Sequence, residues 1–265
     1  MRRLKVLFLL LPSYWILIVF CYATPSTHIW APSTDIQPYK KIHLGADYYF
    51  PTTTKDSSGN HIHTGQVYGF TFSLLSDKPE ENILGKILSA LGKVMAETGF
   101  DYKKGYGAVL DTYPWYFHFK IGVPEGAYFE NMPAFAIGGY DMGIERNLTD
   151  NDIWYFKMAK TVYVGEINLG RFSAGYFRGN AKLLRDDNGL RNHYGPMLAW
   201  ERTISEISDK LWLCVDYQAT QSSYGALNFG FAWKFTNNIS TIIGYDIYNN
   251  RNLTDTLTFQ VDIEF

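Results

Sequence analysis

Residues 257–265 read Leu-Thr-Phe-Gln-Val-Asp-Ile-Glu-Phe, and they alternate without a fault. Leu257, Phe259, Val261, Ile263 and Phe265 are apolar, whereas Thr258, Gln260, Asp262 and Glu264 are polar. Successive side chains of a strand point to opposite faces, so this stretch predicts a strand with one apolar and one polar face. The pattern recurs upstream near 40–50, 66–75, 94–103, 114–122, 133–144, 152–164, 169–178, 195–203, 210–219, 225–235 and 239–248, which makes twelve strands. A soluble sheet built this way would expose a large apolar exterior. In lipid that exterior is matched, and closing the sheet pairs every backbone N–H and C=O. Strands of ~10 residues are the length that crosses a bilayer when tilted. The expectation is all-β: an antiparallel transmembrane β-barrel of about twelve strands, with residues 39–265 as one barrel domain.

The terminal strand resembles the last strand of Gram-negative outer-membrane β-barrels, in which a final Phe and the alternating apolar positions before it are read by the barrel-assembly machinery. The resemblance covers one strand. It implies residence in the bacterial outer membrane, with outer-membrane lipid and the assembly machinery as partners. It also assigns Phe265, Ile263, Val261 and Phe259 to the assembly signal. Phe265→Lys is accordingly expected to abolish insertion, read as loss of the heat-modifiable band from the membrane fraction.

The amino-terminal end agrees. Arg2, Arg3 and Lys5 precede an apolar run from Val6 to Phe20, and Tyr22-Ala23 supplies a small-residue exit. Residues 1–23 therefore read as a cleaved secretory signal. The bulky Phe20 before Cys21 argues against a lipoprotein signal. Removal takes three of the 24 basic residues and none of the 26 acidic ones, so the net charge goes from −2 to −5. Without a basic stripe to neutralise phosphates, nucleic acid is not an expected partner. Only Cys214 remains after cleavage, which excludes an internal disulfide. Aromatic residues make up 17% of the chain, in keeping with rings that settle at the two membrane interfaces of a barrel.

Residues 24–38 hold three prolines and no period. They read as an extended segment, either periplasmic or tucked into the lumen, with Trp30 as an anchor or an ordinary packing residue. With strand one rising from the periplasm, the longer polar connections fall at the outer end, near 51–65, 104–113, 145–151, 179–194, 220–224 and 249–255. One inner connection breaks the pattern. Within 79–92, Ile83, Ile87, Leu88 and Leu91 recur at helical spacing, which predicts a short amphipathic helix on the membrane surface, in one barrel mouth or over the rim.

The polar faces give the candidate lumen. Asp47, His118, Lys120, Lys157, Glu201, Asp216, Lys234, Asp246, Asp262 and Glu264 are predicted to point inward, with His43 alongside. Their mixed signs fit either a salt-bridged filling or a pore of modest ion preference. Around twelve strands lies between a side-chain-filled eight-strand barrel and an open sixteen-strand porin. Arg is expected to be tolerated at inward Asn228 and costly at outward Phe231.

Catalytic signals are weak. Lipid-hydrolysing barrels carry a His–Ser pair, and no Ser is placed to serve His43 or His118. Omptin-type proteases use Asp/His pairs near the outer rim; Asp186, Asp187 and His193 share one outer loop of ordinary polar composition. His61-Ile62-His63, with Asp56 nearby, lacks a third metal ligand at a defined spacing. No catalytic residue, metal or cofactor is assigned. The expected function is a narrow porin-like channel for passive passage of small polar solutes. The alternatives are a non-transporting structural or surface-interaction barrel and, behind it, an outer-membrane lipid-modifying enzyme or protease.

Overall fold

Twelve strands run in sequence order around a closed antiparallel barrel in a computed structural model that describes residues 26–56 and 59–265. They are β1 (Ile42–Pro51), β2 (Gly65–Leu75), β3 (Met95–Lys104), β4 (Trp115–Val123), β5 (Ala134–Gly143), β6 (Asp150–Val164), β7 (Ile167–Arg178), β8 (Tyr194–Thr203), β9 (Leu211–Gln218), β10 (Ala226–Lys234), β11 (Ile239–Tyr248) and β12 (Thr256–Glu264). The segment expected to be a signal, 1–23, lies outside the described residues. β12 closes the sheet on β1, with Leu44 opposite Ile263 and Tyr48 opposite Phe259. Closure leaves no strand edge unpaired, which lipid demands because it offers backbone groups no partner.

Period-two patterning becomes a wall with two unlike faces. In β10, Leu227, Phe229, Phe231 and Trp233 are exposed on the outside, while Asn228 on the inside is fully buried. In β12, Leu257 is exposed and Thr258 is fully buried. Outward aromatic rings pack along the rims, as in Tyr102 with Trp115 (5.1 Å between centroids) and Tyr176 with Tyr194 (6.2 Å). Exposed apolar side chains around a whole barrel are matched only by hydrocarbon.

The expected helix is shorter than its apolar spacing suggested. It is α1 (Ile83–Ile87), followed by a single 3-10 turn at Ser89–Leu91. Asn82 caps it, accepting from the amides of Leu84 and Gly85, and the chain turns extended at Leu88. Pro79 packs against the connection. It lies so close to Gly85 and Gly92 that a Cβ at either would meet it at 2.7 and 2.6 Å, so the connection doubles back on itself. Ile83, Ile87 and Leu88 remain exposed at the inner rim, continuing the apolar exterior there.

Strand β5 carries the main irregularity. Tyr140 and Asp141 together oppose His118 of β4, since the register passes from Phe117–Met142 to Phe119–Gly139. Such a bulge turns two consecutive side chains to the same face, and here both enter the lumen. Asp141 takes a positive φ of 53° to do so, a region that Asp tolerates better than most residues.

Candidate functional site

The lumen is not empty. Residues 26–38 fold inside it, with a tight reversal in which Thr27 bridges Pro32 and Ser33 N–H donates to Ser26 O at 3.0 Å. His28, Ile29, Ala31, Ser33, Thr34 and Gln37 are all buried, so the segment is a plug. Its backbone has no strand to pair with and takes its partners from side chains of the wall, as buried peptide groups must.

Asp216 of β9 is the principal hold. Its carboxylate accepts the N–H groups of Ile29, Trp30 and Ala31 at 2.8, 3.1 and 3.2 Å, and the Asn228 amide at 2.8 Å. Successive N–H groups converging on one carboxylate make a fixed anion nest. Gln260 donates to Ile29 O at 2.7 Å. Lys157 donates to Pro32 O at 2.9 Å and to His28 Nδ1 at 3.0 Å, which leaves the His28 proton on Nε2, 3.5 Å from Glu201. Arg171 grips both carboxylate oxygens of Asp35 at 2.7 Å. At the inner end, Lys120 donates to Ser26 O and Asp35 O, each at 2.6 Å, and lies 3.1 Å from Glu97. The Gln37 amide N–H reaches Glu97 at 2.5 Å, and its side chain bonds Glu264. Gln37 thus ties β3 to β12 across the inner end.

The plug leaves one side of the lumen free. A cavity of about 170 Å³ lies against β1–β5 and β12, lined among others by His43, Asp47, Thr71, Asp101, His118 and Asp262. An outer vestibule of about 400 Å³, formed by the outer loops with His61 and His63 on its wall, shares Trp30, Tyr49 and Tyr106 with it. The two spaces therefore adjoin at these three rings. Trp30 stands edge-on to Tyr49 and Tyr248 (5.4 and 5.7 Å), so it packs the plug against the wall. Burial pushes the phenols of Tyr106 and Tyr224 well above their ordinary range, Asp141 adding to it for Tyr224, so both stay neutral at the mouth.

All ten residues expected in the lumen face inward, Glu264 bonded by Gln37 and the other nine in three settings. Asp47, His118, Lys120 and Asp262 line the cavity. Lys157, Glu201 and Asp216 are buried against the plug. Asp246 is buried in the wall, accepting from Thr256 Oγ1 at 2.7 Å, and Lys234 sits half-buried at the inner rim. Facing inward is not the same as facing water, which revises the expectation for Asn228: its buried amide secures Asp216, so Arg there displaces the plug.

The sequence reading passed over several inward residues. Glu97, Asp101 and Lys103 alternate with Thr98, Phe100 and Tyr102, so the register of β3 itself carried the signal. Arg171 shares the inward register of Ser173. Asp141 was hidden by the bulge; Lys103 pairs with it at 2.5 Å, and Tyr224 donates to it.

Asp101 also belongs to a chain of three side chains across the wall. Thr71 Oγ1 lies 2.9 Å from His118 Nε2, and His118 Nδ1 lies 3.2 Å from Asp101. A hydroxyl, an imidazole and a carboxylate in this order is the geometry that activates nucleophiles. Here Thr71 is 4% exposed, and the peptide groups beside it are paired in the β1–β2–β3 ladder, with none turned toward a developing oxyanion. The chain braces β2, β3 and β4. Gly99 makes room for it, because a Cβ there would meet Phe70 O at 2.0 Å and His118 Nε2 at 2.5 Å. Gly99→Ala is expected to cost about 1–3 kcal/mol through overpacking, read as a lower midpoint in denaturant unfolding of the detergent-solubilised barrel.

The outer histidines are not drawn into acid–base pairs. Burial, then Arg178 and Arg191, push the His193 imidazole below its ordinary value, while Asp186 caps the turn at Asn188 and Leu190. His61 and His63 stand 5.1 Å apart, and no group of three metal-ligating side chains assembles among the described residues.

No family model matches the sequence, and no curated protein matches it. Among solved structures, the chain is similar to the KdgM porin, with a TM-score of 0.50 at 7% identity over 84% of this chain and 98% of that one. The fold is that of a porin-type outer-membrane barrel. The Omp33 outer membrane protein of Acinetobacter baumannii also matches, with a TM-score of 0.44 at 9% identity over 85% of this chain and 98% of that one. The apolar exterior seats the porin-type wall in the bilayer, and the plug and cavity lie within it.

Proposed function

We propose that this protein is a narrow channel through which small polar solutes cross the outer membrane passively. The observation that supports this is the charged cavity beside the plug, which adjoins the outer vestibule at Trp30, Tyr49 and Tyr106. A barrel meant only as a filled strut has no use for a charged recess along this much of its wall. Membrane lipid and the barrel-assembly machinery are the further partners of this reading. The test is single-channel recording in planar bilayers with protein whose folding is verified by heat-modifiable migration. Discrete conductance steps support the channel; folded barrels that carry no current refute it.

The plug favours a second reading, a barrel kept shut for a structural or surface role. Gln37, bridging Glu97 and Glu264, holds the inner end closed in this conformation. Under that reading the same recordings stay silent.

A further inference from the structure

We propose that the lumen selects small cations, and that Asp47, supported by Asp262, sets this preference. The inference rests on the channel reading above and names the class of solute the channel takes.

Five carboxylates line the cavity, Asp47, Glu97, Asp101, Asp141 and Asp262, against two lysines, Lys103 and Lys120. Counted as ionised groups, the five carboxylates outnumber the four cations that the two lysines and protonated His43 and His118 make. The pairing is uneven as well. Lys103 is held by Asp141 at 2.5 Å and Lys120 by Glu97 at 3.1 Å. Asp101 is engaged by His118 at 3.2 Å. Each of these cations is spent on its own carboxylate and offers little to a passing anion.

Asp47 differs from the rest. Its carboxylate points into the cavity and makes no hydrogen bond or salt bridge to any described residue. Asp262 follows two positions along the same inward register, because Asp47 pairs with Gln260 and Gly45 with Asp262. Its contacts are long, 3.4 Å to Ser240 and 3.5 Å to His43. Beside these two carboxylates the wall carries Gly45 and Gly69, where a Cβ would stand 3.3 Å from His43 Nε2 and 2.9 Å from Asp101 Oδ1, so the imidazole and a third carboxylate lie against the wall there. A cation passing here meets two under-compensated carboxylates, with Asp101 beside them, inside a low-dielectric barrel that focuses their field. An anion meets the same pair with no free lysine to balance it.

The experiment is the reversal potential of the wild-type barrel across a tenfold KCl gradient, beside Asp47→Asn/Asp262→Asn and Asp47→Glu. Wild type is expected to favour K⁺ over Cl⁻ severalfold. The double Asn variant should lose most of that preference while still conducting, and Asp47→Glu should keep it. Heat-modifiable migration confirms that each variant is folded. A wild-type preference for Cl⁻, or a K⁺ preference unchanged in the double variant, overturns the assignment and leaves the channel intact. Folded wild-type barrels without any current overturn the channel reading, and this inference with it.

Discussion

Deleting residues 26–38 is expected to raise single-channel conductance severalfold and to remove long closed periods. The plug occupies the side of the lumen along β6–β12 and closes its inner end through Gln37, Lys120, Glu97 and Glu264. No strand of the wall depends on it, since closure runs through β1 and β12 alone. The deletion variant should therefore fold and keep its heat-modifiable migration. It leaves Asp216, Lys157 and Arg171 facing water, where their charges are solvated. Asp216→Ala offers a gentler version: it strips three backbone N–H groups of their acceptor, and each buried unpaired group costs about 1–3 kcal/mol. That variant is expected to flicker between the wild-type and the larger conductance. An unchanged conductance after deletion would show that the restriction lies elsewhere in the lumen.

Phe231→Arg is expected to destabilise the barrel by roughly 2–4 kcal/mol, and Val67→Arg by far less. Phe231 lies near the middle of β10 on the outer face, flanked by Leu213 and Ile243 in neighbouring strands, so a guanidinium there faces hydrocarbon. Val67 is at the cavity wall directly opposite Asp47, where an Arg gains a carboxylate partner and water. Equilibrium unfolding in detergent or lipid measures both. Val67→Arg should also cut conductance by narrowing the free side of the lumen. Equal stability of the two variants would mean that the facing of β10 has been misjudged.

The fold was legible because its code is local. A period of two over ~10 residues states both that a strand exists and which face meets lipid, and the membrane admits no sheet that is not closed. So the twelve strands, their facing and the inward positions of residues such as Asp47 and Asp216 follow from reading residues two at a time. The same reading reached Glu97, Asp101 and Lys103 in principle, for they alternate as plainly as the others. Asp141 escaped because a bulge changes the parity of one strand, and only the register against β4 reveals it. The plug lay beyond any local reading. Ile29 and Asp216 are 187 residues apart, and nothing in Ser26–Pro38 announces its partners. Its peptide groups had no strand to join, so they went to whichever inward side chains could satisfy them once the barrel had closed. The sequence by itself determined the wall, because each strand answers to lipid on one side and polar surroundings on the other. The tertiary structure alone decided which inward charges hold the plug and which meet water, because that depends on what else fills a closed space.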